Sequence, residues 1–205
     1  MTLVKVDPMV FIRVLPRPER EEPDETVLSR EERARGAGMP PHRWREFAHG
    51  RSLLRHLVAE LTEVDPRRVP IRLDARGAPY IPDGDLGVSL SHSGRHTAVA
   101  VRLTGPVGID VQEPPPVLNE RLVRRCCGAQ AADLLALGQP DAATAFARVW
   151  AVQEAVAKAL RLGLAGAPWR IPVRLDQPRG VWHDISWRSL PQVEPVALAV
   201  ATGPL

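Results

Sequence analysis

The sequence predicts a mixed α/β (α+β) fold in two halves of similar size, each built from strands and one long helix. Short segments of alternating apolar residues recur along the 205-residue chain, and this period of two is typical of strands. Two longer segments, 43–61 and 142–162, instead carry apolar residues at the spacing of an amphipathic helix. The breaker sequence Thr104-Gly105-Pro106 separates the halves. We therefore expect an N-terminal subdomain over 1–105 and a C-terminal subdomain over 106–205.

The first half opens with alternation over residues 1–15, which predicts a strand pair or one interrupted strand. The apolar positions there are Val4, Val6, Val10, Ile12 and Val14. The segment from Arg43 to Leu61 is the clearest helix of this half, and its apolar stripe comprises Trp44, Phe47, Leu54, Leu57, Val58 and Leu61. We expect further strands at 71–73 and 97–103.

The second half opens with strict alternation from Val107 to Val111, which predicts a strand. Two helical stretches follow, at roughly 118–137 and 142–162. The remaining apolar segments are expected to be strands and lie at 169–175, 181–187 and 196–201. No convincing residue-level repeat relates the halves, although each holds strands and a long helix.

The composition is that of a folded globular protein, with 44% hydrophobic and 25% charged residues. No apolar run approaches the roughly 18 residues of a membrane span, and residues 1–8 lack the features of a signal peptide. Cys126 and Cys127 are adjacent, which does not make a disulfide framework. We therefore expect a cytoplasmic protein with no membrane partner.

The charge balance is mildly basic, with 27 Lys and Arg residues against 24 Asp and Glu residues. Arginines are interleaved with acids throughout, and no nucleic-acid motif is present. We expect no nucleic-acid partner. The net charge of +3 fits an anionic ligand and an acidic protein partner equally well.

The first chemical motif lies on the predicted helix 142–162. Trp150, Glu154 and Lys158 are four residues apart, so they lie nearly above one another on one line of the helix. Lys158 and Lys5 are the only lysines in an arginine-rich chain, which suggests a need for a compact ammonium. The ordinary alternative is a surface Glu–Lys pair, worth about 0.2–0.5 kcal/mol.

The second motif lies on the predicted strand that begins at Val107. Alternation turns Val107, Ile109 and Val111 to the core and puts Gly108, Asp110 and Gln112 on the other face. Gly108 leaves room for a ligand or another backbone to approach. Two carboxylates, Asp110 and Glu154, suit a hard cation such as magnesium. The alternative is a strand-end aspartate that caps the following turn.

The third motif is Ser89-Leu90-Ser91-His92-Ser93-Gly94, which we expect at the start of a strand. Its hydroxyls and imidazole, with Gly94 freeing the backbone, suit phosphate binding. The alternative is a surface or structural histidine.

The three motifs, in this order, resemble those of one known family, the surfactin-type 4′-phosphopantetheinyl transferases. Its hallmarks are Ser-x-Ser-His, then Gly-(Ile/Val)-Asp-x-Glu, then Trp-x-x-Lys-Glu-x-x-x-Lys. Here these correspond to Ser89–His92, Gly108–Gln112 and Trp150–Lys158. Further segments resemble its early Leu-Ser-x-x-Glu segment, its first long helix and its Gly-Lys-Pro segment, and they lie at 28–33, 47–54 and 76–80.

Several residues depart from the family pattern. Gln112 replaces the usual Glu, Gln153 replaces a lysine, and Ala78 replaces the lysine of Gly-Lys-Pro. Arg125-Cys126-Cys127 stands where the family often has Arg-Phe-Phe, and Ala131 where a Glu commonly follows. We expect Gln112 to weaken magnesium binding, because it removes one negative charge, and neutral Gln153 to weaken contact with the diphosphate.

The resemblance implies two α/β subdomains related by a pseudo-two-fold, with the nucleotide side in 1–105 and the metal and catalytic helix in 106–205. It implies Mg²⁺-dependent transfer of the 4′-phosphopantetheine arm of coenzyme A to a serine of an acyl or peptidyl carrier protein. Such carriers serve fatty-acid, polyketide or nonribosomal peptide synthesis. The leaving product would be adenosine 3′,5′-bisphosphate, and the enzyme would be a monomer.

The resemblance also implies a role for each matching residue. Asp110 and Glu154 would hold magnesium, with Gln112 or water completing the shell. Lys158 would neutralise phosphate oxygens, and either Glu154 or a metal-bound water would take the serine proton. The residues implied on the coenzyme A side are Arg51, Pro79, Ser91 and His92.

Three other functions stay open. The departures from the pattern suggest a non-catalytic module that binds coenzyme A or a carrier protein. The arginine content suggests a nucleic-acid-binding protein, which would show steeply salt-dependent binding. A metal-dependent hydrolase would cleave coenzyme A without any protein acceptor.

Overall fold

A computed structural model describes residues 2–16, 22–82, 84–190 and 196–204, without the side chains of residues 2–4, 7 and 164. The chain divides into two compact units, Met1–Thr104 (unit 1) and Gly105–Leu205 (unit 2). Within the described ranges, no helix is both long and apolar enough to cross a membrane. The predicted apolar position Val4 lies among the side chains outside the description.

The described residues of unit 1 form six strands and two α-helices. In chain order these are β1 (Thr2–Asp7), β2 (Val10–Pro16), α1 (Arg30–Gly36), α2 (Pro41–Thr62), β3 (Arg72–Leu73), β4 (Pro79–Tyr80), β5 (Gly87–Ser93) and β6 (His96–Arg102). Four of the strands form an antiparallel sheet in the order β1-β2-β6-β5, and β3 pairs with β4. The predicted strand pair at the N-terminus and the long helix are both confirmed.

Helix α2 supplies the apolar core of unit 1. It begins with Pro41, where a proline costs no hydrogen bond, and ends at Thr62, before Glu63, whose φ of 57° is left-handed. Leu54 and Leu57 are fully buried and belong to the same cluster as Val99 and Val101 of β6. Burying each such leucine contributes about 1.5–3 kcal/mol, so this contact holds α2 on the sheet.

In unit 2, the part of the chain that the structure describes forms four strands and three α-helices. In chain order these are β7 (Val107–Gln112), α3 (Glu120–Cys127), α4 (Ala131–Ala136), α5 (Asp141–Ala159), β8 (Arg179–Trp182), β9 (Ile185–Ser189) and β10 (Ala197–Thr202). The strands form an antiparallel sheet in the order β7-β10-β9-β8. Its core is formed by α5 with β9, β10 and α3. The alanines at 197, 199 and 201 present small side chains to this core.

Three predicted elements of the second half differ from the structure. The helix expected over 118–137 is divided into α3 and α4 at Gly128, whose φ is 54°. The strand expected at 169–175 is wrong, because Pro168–Arg170 forms a 3-10 turn and no regular element follows it before β8. The strand expected at 181–187 is a hairpin, since the chain turns between β8 and β9 at His183, where φ is 51°.

Candidate active site

Strand β7 lies against helix α5, and their backbones approach closely at Gly108. A Cβ atom at Gly108 would lie 2.0 Å from the carbonyl oxygen of Ala155. Glycine is therefore required here because another backbone approaches, one of the two uses predicted for it. The alternation of the strand is as expected, but the face that carries Gly108 and Asp110 is not open, because α5 covers it. Gly108 and Asp110 both face α5 and both are buried, as are Val107, Ile109 and Val111 on the other face.

Asp110 and Lys158 form an ion pair between β7 and α5. The ammonium nitrogen of Lys158 donates to Oδ1 of Asp110 at 2.7 Å. The side chain of Asp110 is only 7% exposed, whereas that of Lys158 is 27% exposed. The lysine thus reaches from a partly open position to a carboxylate fixed on the strand.

Glu154 lies one helical turn before Lys158 and beside Asp110. Burial raises the pKa of the Glu154 carboxyl above its usual value, the charge of Asp110 raises it further, and the Lys158 ammonium opposes the rise. The Oε1 atom of Glu154 is buried and accepts no hydrogen bond from the described residues. The three predicted residues Asp110, Glu154 and Lys158 are thus brought together.

Gln112 ends strand β7, two residues after Asp110. Its amide nitrogen donates to the carbonyl oxygen of Glu113 at 3.0 Å. Within the described residues, no group of three or more His, Cys, Asp or Glu side chains is arranged to hold a metal ion. The candidate donor set of unit 2 is therefore two carboxylates and one amide, and its role as a metal site stays a prediction.

Gln153 is buried inside unit 2. Its side chain is 0% exposed, and its amide nitrogen donates to the carbonyl oxygens of Cys126 at 2.8 Å and Ile171 at 2.9 Å. This side chain joins α5 to the end of α3 and to the segment after the Pro168–Arg170 turn. That neutral Gln153 weakens contact with the diphosphate stays a prediction. Trp150 is half-buried and packs against the core of unit 2.

Arg51 lies on the buried side of α2 in unit 1. Its guanidinium group forms an ion pair with the Glu32 carboxylate, with 4.0 Å between Nε of Arg51 and Oε1 of Glu32. Burial lowers the pKa of Arg51 to about 10, which Glu32 opposes and Arg55 reinforces. Its Nε and Nη1 atoms are buried and donate no hydrogen bond within the described residues.

The segment that contains Ser91 and His92 forms most of β5, paired with β6, and is not the start of a strand as expected. Ser91 is buried, whereas the ring of His92 is partly exposed and its Nε2 lies 3.3 Å from Oε1 of Glu46 on α2. Pro79 lies half-buried on β4. These residues and Arg51 share unit 1, and their role in binding coenzyme A stays a prediction.

Comparison with known proteins identifies the family. Residues 106–198 match the model of the 4′-phosphopantetheinyl transferase superfamily, and residues 31–102 match the model of the 4′-phosphopantetheinyl transferase N-terminal domain. The chain is 30% identical to the 4′-phosphopantetheinyl transferase AcpT of Escherichia coli K12 over 165 residues, which are 79% of this chain and 76% of that protein. The chain belongs to the 4′-phosphopantetheinyl transferase family. The family, its transferase class and the mixed α/β fold predicted from the sequence are thereby confirmed.

Two further relatives of the family align over shorter parts. The 4′-phosphopantetheinyl transferase Sfp of Bacillus subtilis is 29% identical over 138 residues, which are 65% of this chain and 61% of Sfp. A phosphopantetheinyl transferase of Thraustochytrium is 27% identical over 148 residues, or 64% of this chain and 51% of that protein. The chain thus spans less than two thirds of these two proteins and about three quarters of AcpT.

The structure adds three charged residues in unit 1 that the sequence analysis did not single out. Glu32 accepts hydrogen bonds from the backbone of Ser29 and from Nε of Arg55, both at 2.8 Å. Arg55 also donates to the carbonyl oxygens of Pro66 and Val69. The third residue is Glu46, beside His92. The sequence could have indicated Glu32, because Ser29 and Glu32 have the Ser-x-x-Glu spacing of a capping box, which they form in the structure.

Proposed function

We propose that this chain transfers the 4′-phosphopantetheine arm of coenzyme A to a serine of an acyl or peptidyl carrier protein, with Mg²⁺, and releases adenosine 3′,5′-bisphosphate. One observation carries the proposal. Asp110, Glu154 and Lys158 come together on β7 and α5, inside the segment that matches the transferase superfamily. Sfp and AcpT, which the chain resembles, are both named 4′-phosphopantetheinyl transferases.

The donor set in unit 2 fits a hard divalent cation. Magnesium is held in proteins by one or two carboxylates, with water and substrate phosphate oxygens. Glu154 offers a buried oxygen that accepts no hydrogen bond within the described residues, and Asp110 offers a second buried carboxylate. We assign these two residues as ligands, with the amide oxygen of Gln112 as the third. Bound there, the cation would neutralise charge on the diphosphate.

The side chains of the protein have to position two substrates and accept one proton. The serine hydroxyl oxygen attacks the β-phosphorus of coenzyme A. The bond from that phosphorus to the bridging oxygen breaks, and adenosine 3′,5′-bisphosphate leaves with the electron pair. Lys158 supplies a positive point charge to the phosphate oxygens. The serine proton goes to Glu154 or to water.

Unit 1 is proposed to bind the nucleotide side of coenzyme A. Arg51 supports this role because two of its nitrogen atoms donate no hydrogen bond within the described part of the chain. Ser91 and His92 would contact a phosphate, and Pro79 would line the same side. Ala78 supplies no charge there.

We further propose that the protein acts as a monomer in the cytoplasm. The free, buried thiols of Cys126 and Cys127 fit a reducing compartment. The modest net charge of +3 supports an acidic carrier as partner rather than a nucleic acid.

The test is the intact mass of an unmodified carrier protein after incubation with this chain, coenzyme A and Mg²⁺, with EDTA as the control. We expect a gain of one phosphopantetheine that EDTA abolishes, together with release of the bisphosphate. Glu154→Gln and Asp110→Asn are expected to lower the rate at least about 100-fold. Binding of coenzyme A with no mass gain on fatty-acid, polyketide or peptidyl carriers would instead indicate a binding module.

A further inference from the structure

We propose that Lys158 and a divalent cation compete for Asp110, so that binding of the cation releases the lysine for the substrate phosphates. The inference rests on the metal-dependent transferase activity proposed above. It adds a specific coupling between the cation, the lysine and coenzyme A.

The two side chains of the ion pair differ in their freedom to move. The 2.7 Å distance from Nζ of Lys158 to Oδ1 of Asp110 is that of a charge-assisted hydrogen bond. Asp110 is buried and has a short side chain on a strand that α5 covers. Lys158 has a flexible four-carbon stem and a partly exposed side chain. When the pair separates, Lys158 is therefore the partner that moves.

With the Lys158 ammonium on Oδ1 of Asp110, a magnesium ion on either oxygen of that carboxylate would place two cations on one buried side chain. A magnesium ion lies about 2.0–2.1 Å from its oxygen ligands, and the Lys158 ammonium already contacts Oδ1 of Asp110. Two positive charges on one buried carboxylate repel each other more strongly than they would in water. Glu154 favours the exchange, because its buried Oε1 accepts no hydrogen bond within the described residues. A divalent cation would bind that Glu154 oxygen, whereas Lys158 donates its hydrogen bond to Asp110 instead.

The exchange links metal binding to coenzyme A binding. Without coenzyme A, the cation has to displace Lys158, so its apparent affinity is lowered by the strength of the ion pair. With coenzyme A present, the displaced ammonium contacts phosphate oxygens instead. Each ligand then strengthens the binding of the other by the same factor, as linkage requires.

Calorimetric titration of the full chain with Mg²⁺, with and without coenzyme A, tests this coupling. In the absence of coenzyme A, Lys158→Met is expected to bind Mg²⁺ about tenfold more tightly than the wild type. Lys5→Met is the matched control, because it removes the only other lysine charge, on β1 of unit 1. It should leave Mg²⁺ affinity unchanged. Equal or weaker Mg²⁺ binding by Lys158→Met would overturn the inference.

A second measurement uses the wild-type chain and so does not depend on how the variant folds. Lysine labelled with ¹³C at Cε gives two signals, and Lys5→Met assigns them. Mg²⁺ alone is expected to shift the Lys158 signal saturably and leave the Lys5 signal in place. An unmoved Lys158 signal, while calorimetry shows bound Mg²⁺, would overturn the competition.

The two proposals fail in different ways. If the mass assay shows Mg²⁺-dependent transfer while Lys158 neither moves nor opposes Mg²⁺, only the competition is wrong. If Mg²⁺ does not bind with or without coenzyme A, the competition and the metal assignment are both wrong.

Discussion

The carbonyl oxygen of Ala155 lies 2.0 Å from the position that a Cβ atom at Gly108 would occupy. Helix α5 can therefore cross strand β7 only where the strand has no side chain. This contact sets the distance at which Asp110 on the strand meets Lys158 on the helix.

We predict that Gly108→Ala forces α5 away from β7. Inserting a methyl group into a packed contact costs about 1–3 kcal/mol, and here the obstructing atoms are backbone atoms that cannot change rotamer. Urea unfolding should show this loss, and transfer should fall at the same time because Lys158 and Glu154 move relative to Asp110. Gly38→Ala is the control, since no atom lies within 4 Å of its Cβ position. Equal stability of the two variants would contradict the close approach.

Gln153 provides a second structural prediction. Replacing it with Met keeps the volume but removes the donor to the carbonyl oxygens of Cys126 and Ile171. Two buried acceptors would then lack partners, which we expect to cost about 2–4 kcal/mol of unfolding free energy. Thermal and urea unfolding measure the loss. Gln177→Met, at a half-buried position in unit 2, should change stability by less than about 0.5 kcal/mol. A similar small change for Gln153→Met would show that the two hydrogen bonds contribute little.

The sequence predicted the line of Trp150, Glu154 and Lys158 because helical spacing is a local property. It also predicted that Asp110 stands on a strand, because alternation is local as well. It could not show that Gln153 is buried, because the two carbonyl groups that it contacts lie 27 and 18 residues away along the chain. The hairpin turn at His183 was missed for a related reason. The apolar positions around it remain compatible with one strand, and only the left-handed backbone reveals the turn.

The two cysteines are predicted to be unreactive in the folded protein. Burial raises the pKa of Cys126 to about 12 and that of Cys127 to about 11, from an ordinary value of 9.0. At pH 8 the thiolate population is therefore about 10⁻³ or less, and alkylation should be at least about 100-fold slower than in urea. The neutral thiols stabilise the fold fully below pH 9.0, and this contribution is lost as the pH rises through 11 and 12. Rapid labelling of the native chain at pH 8 would contradict this burial.

Arg51 and Arg55 are predicted to differ in what they contribute. Arg55 donates to Glu32 and to two backbone carbonyl groups, so Arg55→Met should destabilise the chain by about 3–5 kcal/mol. Arg51 is 3% exposed yet has two nitrogen atoms that donate no hydrogen bond within the described residues. Glu32 keeps Arg55 as its partner when Arg51 is replaced, so Arg51→Met should cost less stability than Arg55→Met, about 1 kcal/mol, while raising the KM for coenzyme A about tenfold. Urea unfolding measures the change in stability, and steady-state kinetics measures the KM for coenzyme A. A loss of stability equal to that of Arg55→Met, with KM unchanged, would make Arg51 a structural residue.

Gln112→Glu is predicted to tighten Mg²⁺ binding. The change restores a third negative charge beside Asp110 and Glu154, at the cost of the hydrogen bond from Gln112 to Glu113. A site with more carboxylate charge holds a hard cation more strongly. We expect a dissociation constant about tenfold lower, equivalent to about 1.4 kcal/mol, in calorimetry with coenzyme A present. Gln177→Glu adds the same charge elsewhere in unit 2 and should leave the titration unchanged. If Gln112→Glu also leaves it unchanged, Gln112 is not a ligand, and the metal is held by the two carboxylates, water and substrate.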